Sequence, residues 1–116
     1  MTPNKATVEA YMEGFRRTDP PRILACLSED VEWEIPGFFH IRGTGEFAKH
    51  ILEEGFAPNP EISVTRMIEA DDVVVAEGAV RARRTDGTVV SLVFCDVFEM
   101  RSGKIRKLIS YLMPRG

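Results

Sequence analysis

The second half of the chain is read almost without interruption as four long strand-like runs, residues 61–69, 73–84, 89–100 and 104–113. Ala70-Asp71-Asp72, Asp86-Gly87 and Ser102-Gly103 separate them and carry the residue types that tight turns require. Connections this short cannot make a crossover, so the four runs must form an antiparallel meander. Strands of ten or so residues exceed the usual five or six, which predicts a sheet that bends. Gly78, inside the 73–84 run, is the expected place for a bulge or bend.

The first half has a different periodicity. Val8, Tyr11, Met12 and Phe15 recur at the spacing of one helix face, with Thr2 as cap and Pro3 in the first turn. Thr18-Asp19-Pro20 ends that helix and caps a short second one carrying Ile23, Leu24 and Leu27. Val31, Trp33 and Ile35 then alternate with Glu32 and Glu34, the mark of a half-buried strand, and Pro36-Gly37 breaks it. A loop is expected through Phe38, Phe39 and His40 to Gly43. Thr44 then caps a third helix bearing Phe47, Ala48, Ile51 and Leu52, with Gly55 as its stop. Three helices and one strand followed by a meander predict an α+β fold in a single domain, residues 1–116.

Charge and composition exclude several functions. A net charge of −3 with a pI near 5.4 does not suit a nucleic-acid surface, and Arg81, Arg83 and Arg84 read as a solvated strand end. No apolar run approaches the roughly 20 residues of a membrane span. The first residues lack the apolar core of a secretory signal, so a cytoplasmic protein with Cys26 and Cys95 as free thiols is expected. His40, His50, Asp96 and the cysteines have no metal-ligand spacing, so no metal is expected. No phosphate loop or nucleophile elbow occurs, and no cofactor is implied.

Asp96 is the residue of greatest chemical interest. Its strand places Val90, Leu92, Phe94, Asp96, Phe98 and Met100 on one face and Val89, Ser91, Val93, Cys95, Val97 and Glu99 on the other. Both faces are largely apolar, as in a central strand covered on both sides. A carboxyl group there must find a partner or keep its proton. It is either tied to a backbone amide or an arginine, or it is an acid in a pocket.

Taken in order, certain segments resemble one superfamily. They are the first helix with Tyr11 and Phe15 leading into Thr18-Asp19, Leu27-Ser28-Glu29-Asp30-Val31-Glu32-Trp33, Ile41-Arg42-Gly43-Thr44, and Asp96-Val97-Phe98-Glu99 before Gly103-Lys104-Ile105. The superfamily holds nuclear transport factor 2, the ketosteroid isomerases and the SnoaL-like polyketide cyclases, and the resemblance spans nearly the whole chain. It implies a cone-shaped fold, with three helices packed on a curved, mostly antiparallel sheet that encloses a pocket. It also implies a homodimer, for which the outer sheet face with Val89, Val93, Val97, Ile109 and Tyr111 is the expected surface.

In the isomerases the positions matching Tyr11 and Asp96 form an oxyanion hole, so these two side chains are expected to hydrogen-bond one substrate oxygen. The position where the isomerases carry their base is Ile35, which cannot move a proton. Glu32 and Glu34 point to the opposite face, which leaves His40 as the candidate replacement. Trp33, Ile35, Phe38, Phe39, Phe94, Phe98, Leu108, Ser110 and Leu112 are the expected pocket wall, although the apolar ones among them read equally as plain core. Arg42, near the expected pocket mouth, reads as a carboxylate binder or as a residue that solvates the loop, and His50 as a surface or packing residue. The implied activity is cofactor-free acid–base chemistry on a hydrophobic carbonyl compound, of the isomerase or cyclase type. The alternatives are a non-catalytic domain for a small apolar ligand and a dimeric interaction module.

Overall fold

A computed structural model describes residues 1–115. Helix α1 (Pro3–Arg16) starts where the Thr2 hydroxyl accepts the Lys5 amide at 3.1 Å, and of the predicted stripe it buries Val8, Tyr11 and Met12 fully and Phe15 in part. Helix α2 (Pro20–Leu24) is capped by the Asp19 carboxylate, which accepts the Arg22 amide at 3.3 Å. Gly14 lets the two helices touch, since a Cβ there would lie 2.7 Å from Ile23 Cγ1.

The remaining elements are β1 (Leu27–Ile35), β2 (Phe39–Arg42), α3 (Thr44–Ala48), β3 (Glu61–Ala70), β4 (Val73–Arg83), β5 (Val89–Arg101) and β6 (Lys104–Pro114). The six strands form one curved, unclosed sheet in the order β2-β1-β6-β5-β4-β3. Strands β3 to β6 are the expected antiparallel meander, within a residue or so of its predicted limits. Strand β1 joins it parallel to β6, with Trp33 opposite Leu108.

Three local expectations are corrected, the first two by strand pairing. Leu27 belongs to β1 rather than to the second helix, because it pairs with Ile105 of β6. The loop expected at Phe38–Gly43 is mostly strand: β2 folds back on β1 through a tight turn in which the Phe38 amide donates to the Ile35 carbonyl at 2.9 Å. The third helix is shorter than expected. Gly43 rather than Thr44 holds the cap position, the helix ends at Ala48, and Ile51 and Leu52 lie on an irregular segment beyond it.

Gly78 does mark the bend. The extra residue sits on β3, where the register shifts between Val64 and Arg66, and Thr65 Oγ1 donates to the Glu77 carbonyl at 3.0 Å. A Cβ on Gly78 would lie 1.9 Å from the Ser63 carbonyl oxygen and 2.9 Å from the Phe94 ring, so only glycine permits this approach.

Helix α1 lies against the concave face and is fastened to it at both ends. Asn4 Nδ2 donates to Glu69 and Asp72 at 3.1 Å, Thr7 Oγ1 donates to the Gly103 carbonyl at 2.8 Å, and Arg16 Nε donates to the Ile62 carbonyl at 2.8 Å. Val8, Ile23, Val31, Phe47, Val74, Phe98, Ile105 and Leu108 form the dry centre of the core. Cys26 and Cys95 are free thiols, as expected. No helix among the described residues is long and apolar enough to cross a membrane.

Candidate functional site

A cavity of about 270 Å³ lies between α1, the concave face of the sheet and the irregular segment after α3. Five of the six strands contribute inward alternate residues, all but β2: Trp33 and Ile35 from β1, Ile62 from β3, Val80 and Ala82 from β4, Val90, Leu92, Phe94 and Asp96 from β5, and Ser110 and Leu112 from β6. Helix α1 supplies Tyr11, Met12 and Phe15. The segment after α3 supplies Ile51, Leu52, Glu53, Phe56, Ala57 and Pro60. The wall is apolar apart from a few groups, and it contains no lysine, arginine or histidine among the described residues.

Asp96 is 8% exposed. It stands opposite Ala76 of β4 and Ser110 of β6. Its Oδ1 atom has no hydrogen-bond partner among the described residues. Burial pushes its pKa up to about 7, and the Ser110 hydroxyl, which favours the charged form, offsets this only in part. No arginine or backbone amide among the described residues bonds Asp96, and its side chain lines the cavity.

Ser110 is itself held in place. Trp33 opposes Leu108, so its indole reaches diagonally along the sheet to residue 110, and Nε1 donates to Ser110 Oγ at 3.0 Å. The indole cannot rotate away, because it stacks on Phe47 at 4.4 Å and meets Phe15 and Phe39 edge-on at 6.1 and 5.1 Å. The hydroxyl oxygen thus accepts from Trp33, and its own proton is free for Asp96 or for a ligand.

Tyr11 reaches the same cavity from the opposite wall. Its ring is edge-on to Phe98 at 5.4 Å and to Phe47 at 6.3 Å. Burial, and secondarily the Asp96 charge, raise its pKa well above that of an ordinary phenol, so it stays a donor. Its hydroxyl makes no hydrogen bond among the described residues, in line with its place on the cavity wall.

Tyr11, Trp33, Ile35, Phe94, Asp96, Ser110 and Leu112 are thus brought together as expected. Five expected residues lie elsewhere. Phe38 sits at the tip of the β1–β2 turn and is 81% exposed. Phe39 packs behind the wall against Trp33 and His50. Phe98 and Leu108 are wholly buried core, because α1 covers that end of the concave face. His40 is on the outer face: β2 pairs with β1 so that His40 opposes Glu34, and its Nε2 meets Glu32 Oε2 at 3.2 Å. That register turns it away from Trp33 and Ile35, so it cannot serve the cavity. Arg42 joins the same outer cluster, donating to Glu32 at 2.8 Å.

Of the wall residues that the sequence did not reveal, Glu53 is the ionisable one among the described residues, and it lies on the irregular segment beyond the end of α3. His50, read as a surface or packing residue, has its Nδ1 2.7 Å from Glu53 Oε1, and its ring packs 4.4 Å from that of Phe39.

Similar proteins agree with this architecture. An epoxide hydrolase of the LEH-like type from M. tuberculosis superimposes with a TM-score of 0.85 at 23% identity, over 96% of this chain and 83% of that one. An NTF2-like protein of unknown function from Burkholderia pseudomallei gives 0.88 at 24% identity, over 97% and 92%. TerC, co-crystallised with polyporic acid, gives 0.82 at 25% identity, over 94% and 90%. No curated protein sequence is significantly similar to the chain. The model of the SnoaL-like domain matches residues 8–108, nearly all of the fold described above, and the chain belongs to that family.

Proposed function

We propose that the cavity binds a small neutral apolar molecule through a carbonyl oxygen, and that Tyr11 and Asp96 donate hydrogen bonds to that oxygen while charge develops on it. The observation that carries this reading is Asp96: a buried carboxyl group on the cavity wall, with Oδ1 unpartnered and a proton retained up to about pH 7. A neutral acid is a donor, and a donor in a dry site stabilises a developing enolate far better than one in water. Among the described residues the wall has no cationic side chain, which disfavours phosphates and carboxylates as ligands. A cavity of about 150 Å³ holds one benzene ring, so the 270 Å³ here suits about two fused rings.

The test is a series of bicyclic ketones assayed for binding and turnover. Above pH 7 the apparent Kd should rise about tenfold per pH unit, because the acid loses its proton. Tyr11→Phe and Asp96→Asn should each lower turnover by about a hundredfold. Unchanged turnover in both variants removes the assignment of roles.

A second reading, a binding domain without catalysis, draws support from Ile35, which occupies the place of the base in the isomerases and lines the cavity. Ketones that raise the melting temperature and are recovered unaltered would favour it. We also propose a homodimer in the cytoplasm. Val89, Val93 and Tyr111 on the outer sheet face are exposed, an apolar patch that a second copy would cover. Sedimentation showing a monomer at micromolar concentration removes the dimer.

A further inference from the structure

The proposed chemistry has two hydrogen-bond donors and lacks an acceptor for the proton that leaves carbon. Among the described residues the cavity wall has three ionisable side chains, Tyr11, Asp96 and Glu53. The first two are committed as donors to the carbonyl oxygen. Glu53 stands on the rim contributed by the segment after α3, apart from the buried floor at Asp96 and Ser110.

The surroundings of Glu53 are ordered. Its carbonyl accepts the Phe56 amide at 3.2 Å, Phe56 bridges to Arg84, the Ala57 amide donates to the Arg83 carbonyl at 2.8 Å, and the Thr85 amide donates to the Gly55 carbonyl at 2.9 Å. The segment is therefore pinned to the end of β4. Its Oε1 meets His50 Nδ1, whose ring is fixed by Phe39 and lies 6.5 Å from that of Trp33. Oε2 has no hydrogen bond among the described residues, so one oxygen is anchored and the other is free.

We propose that Glu53 is the proton acceptor of this cavity, with His50 as the positioning residue that holds its carboxylate at the mouth. The inference rests on the carbonyl reading above and fills the role left vacant by Ile35 and by His40. Glu53 Oε2 takes a proton from the carbon next to the carbonyl. The C–H pair becomes the carbon–carbon double bond, the carbonyl π pair moves to oxygen, and Tyr11 and Asp96 hydrogen-bond that oxygen. The glutamic acid then returns the proton to the same carbon, to a conjugated one, or to water. The Glu53 side chain is 52% exposed at the mouth, and a ketone seated there covers it.

The experiment uses β-tetralone, a bicyclic ketone, with the full-length protein in deuterated buffer. NMR follows loss of the α-proton signal above the protein-free rate, and saturation transfer to the aromatic protons gives binding in the same sample. The wild type should accelerate exchange. Glu53→Gln should lower the protein-dependent rate by about a hundredfold with binding within twofold. His50→Phe, which keeps the ring packing and loses the donor, should slow exchange by about tenfold, and His50→Asn should restore it. Equal exchange by the wild type and Glu53→Gln overturns the assignment of Glu53 and leaves the carbonyl site standing. Bound ketone that the wild type fails to exchange overturns the catalytic reading of the cavity together with its base.

Discussion

On the outer face of the sheet Glu32 lies between His40 and Arg42, while Glu77 and Glu99 pair with Arg66 and Arg106. On the inner face Asp96 has a hydroxyl on one side, the methyl of Ala76 on the other, and no cation. The His40 hydrogen bond and the Arg42 charge hold Glu32 below its ordinary pKa, whereas burial lifts Asp96 to about 7. The two carboxyl groups are one chemical type on adjoining parts of one sheet. Solvent and a cationic partner keep the outer one an anion, and their absence makes the inner one a proton donor near neutrality. Strand alternation alone assigns each side chain to its environment.

The largest effect that tests this contrast is the pH dependence of stability. The folded-state pKa of Asp96 lies above the 3.8 of a free side chain, so its favourable protonated state is fully populated below about pH 4. Stability is then lost as the pH rises towards 7, by about 1.4 kcal/mol per unit and about 4 kcal/mol in all. Urea unfolding of Asp96→Asn from pH 4 to 8 should show the variant gaining on the wild type over this window and levelling off above it. A constant difference would mean that the carboxyl group is hydrated.

A smaller effect is expected from Ser110→Ala. It strands the buried Trp33 Nε1–H and should cost about 1–3 kcal/mol in a denaturant melt. It also removes the one group that favours ionised Asp96, so the midpoint of the pH profile should move upward. A profile that stays in place would show that Ser110 supports Trp33 alone. The smallest effect belongs to the outer face. Glu32→Gln should leave the melting temperature at neutral pH within experimental error, because exposed ion pairs contribute little. Its pH dependence has the opposite sign to that of Asp96, since a lowered pKa yields stability that disappears as the pH falls. A clear loss in Glu32→Gln at neutral pH would break the contrast between the faces.

The sequence revealed more of the cavity floor than of its mouth. Asp96, Phe94, Trp33, Ser110 and Leu112 sit on regular strands, where a period of two decides which side chains turn inward. Tyr11 sits on a regular helix, where the period of 3.6 does the same. Phe38 and Glu53 sit where the chain changes direction and His40 on a four-residue strand just past a turn, too short for the periodicity to give a phase. His40 was misplaced because the β1–β2 turn adds a strand whose register, Ile35 opposite Phe39, sends the histidine outward. Phe98 and Leu108 were assigned to the correct face, but alternation cannot say how far along that face α1 extends.

Local pattern suffices for the antiparallel meander, the bend at Gly78 and the buried stripe of α1. Each of these follows from short-range sterics and from apolar spacing along one stretch of chain. The tertiary structure alone decided that β1 runs parallel to β6, that α3 stops early, and that Glu53 and His50 meet at the cavity mouth. Those outcomes depend on contacts between distant segments, whose free energy no local pattern records.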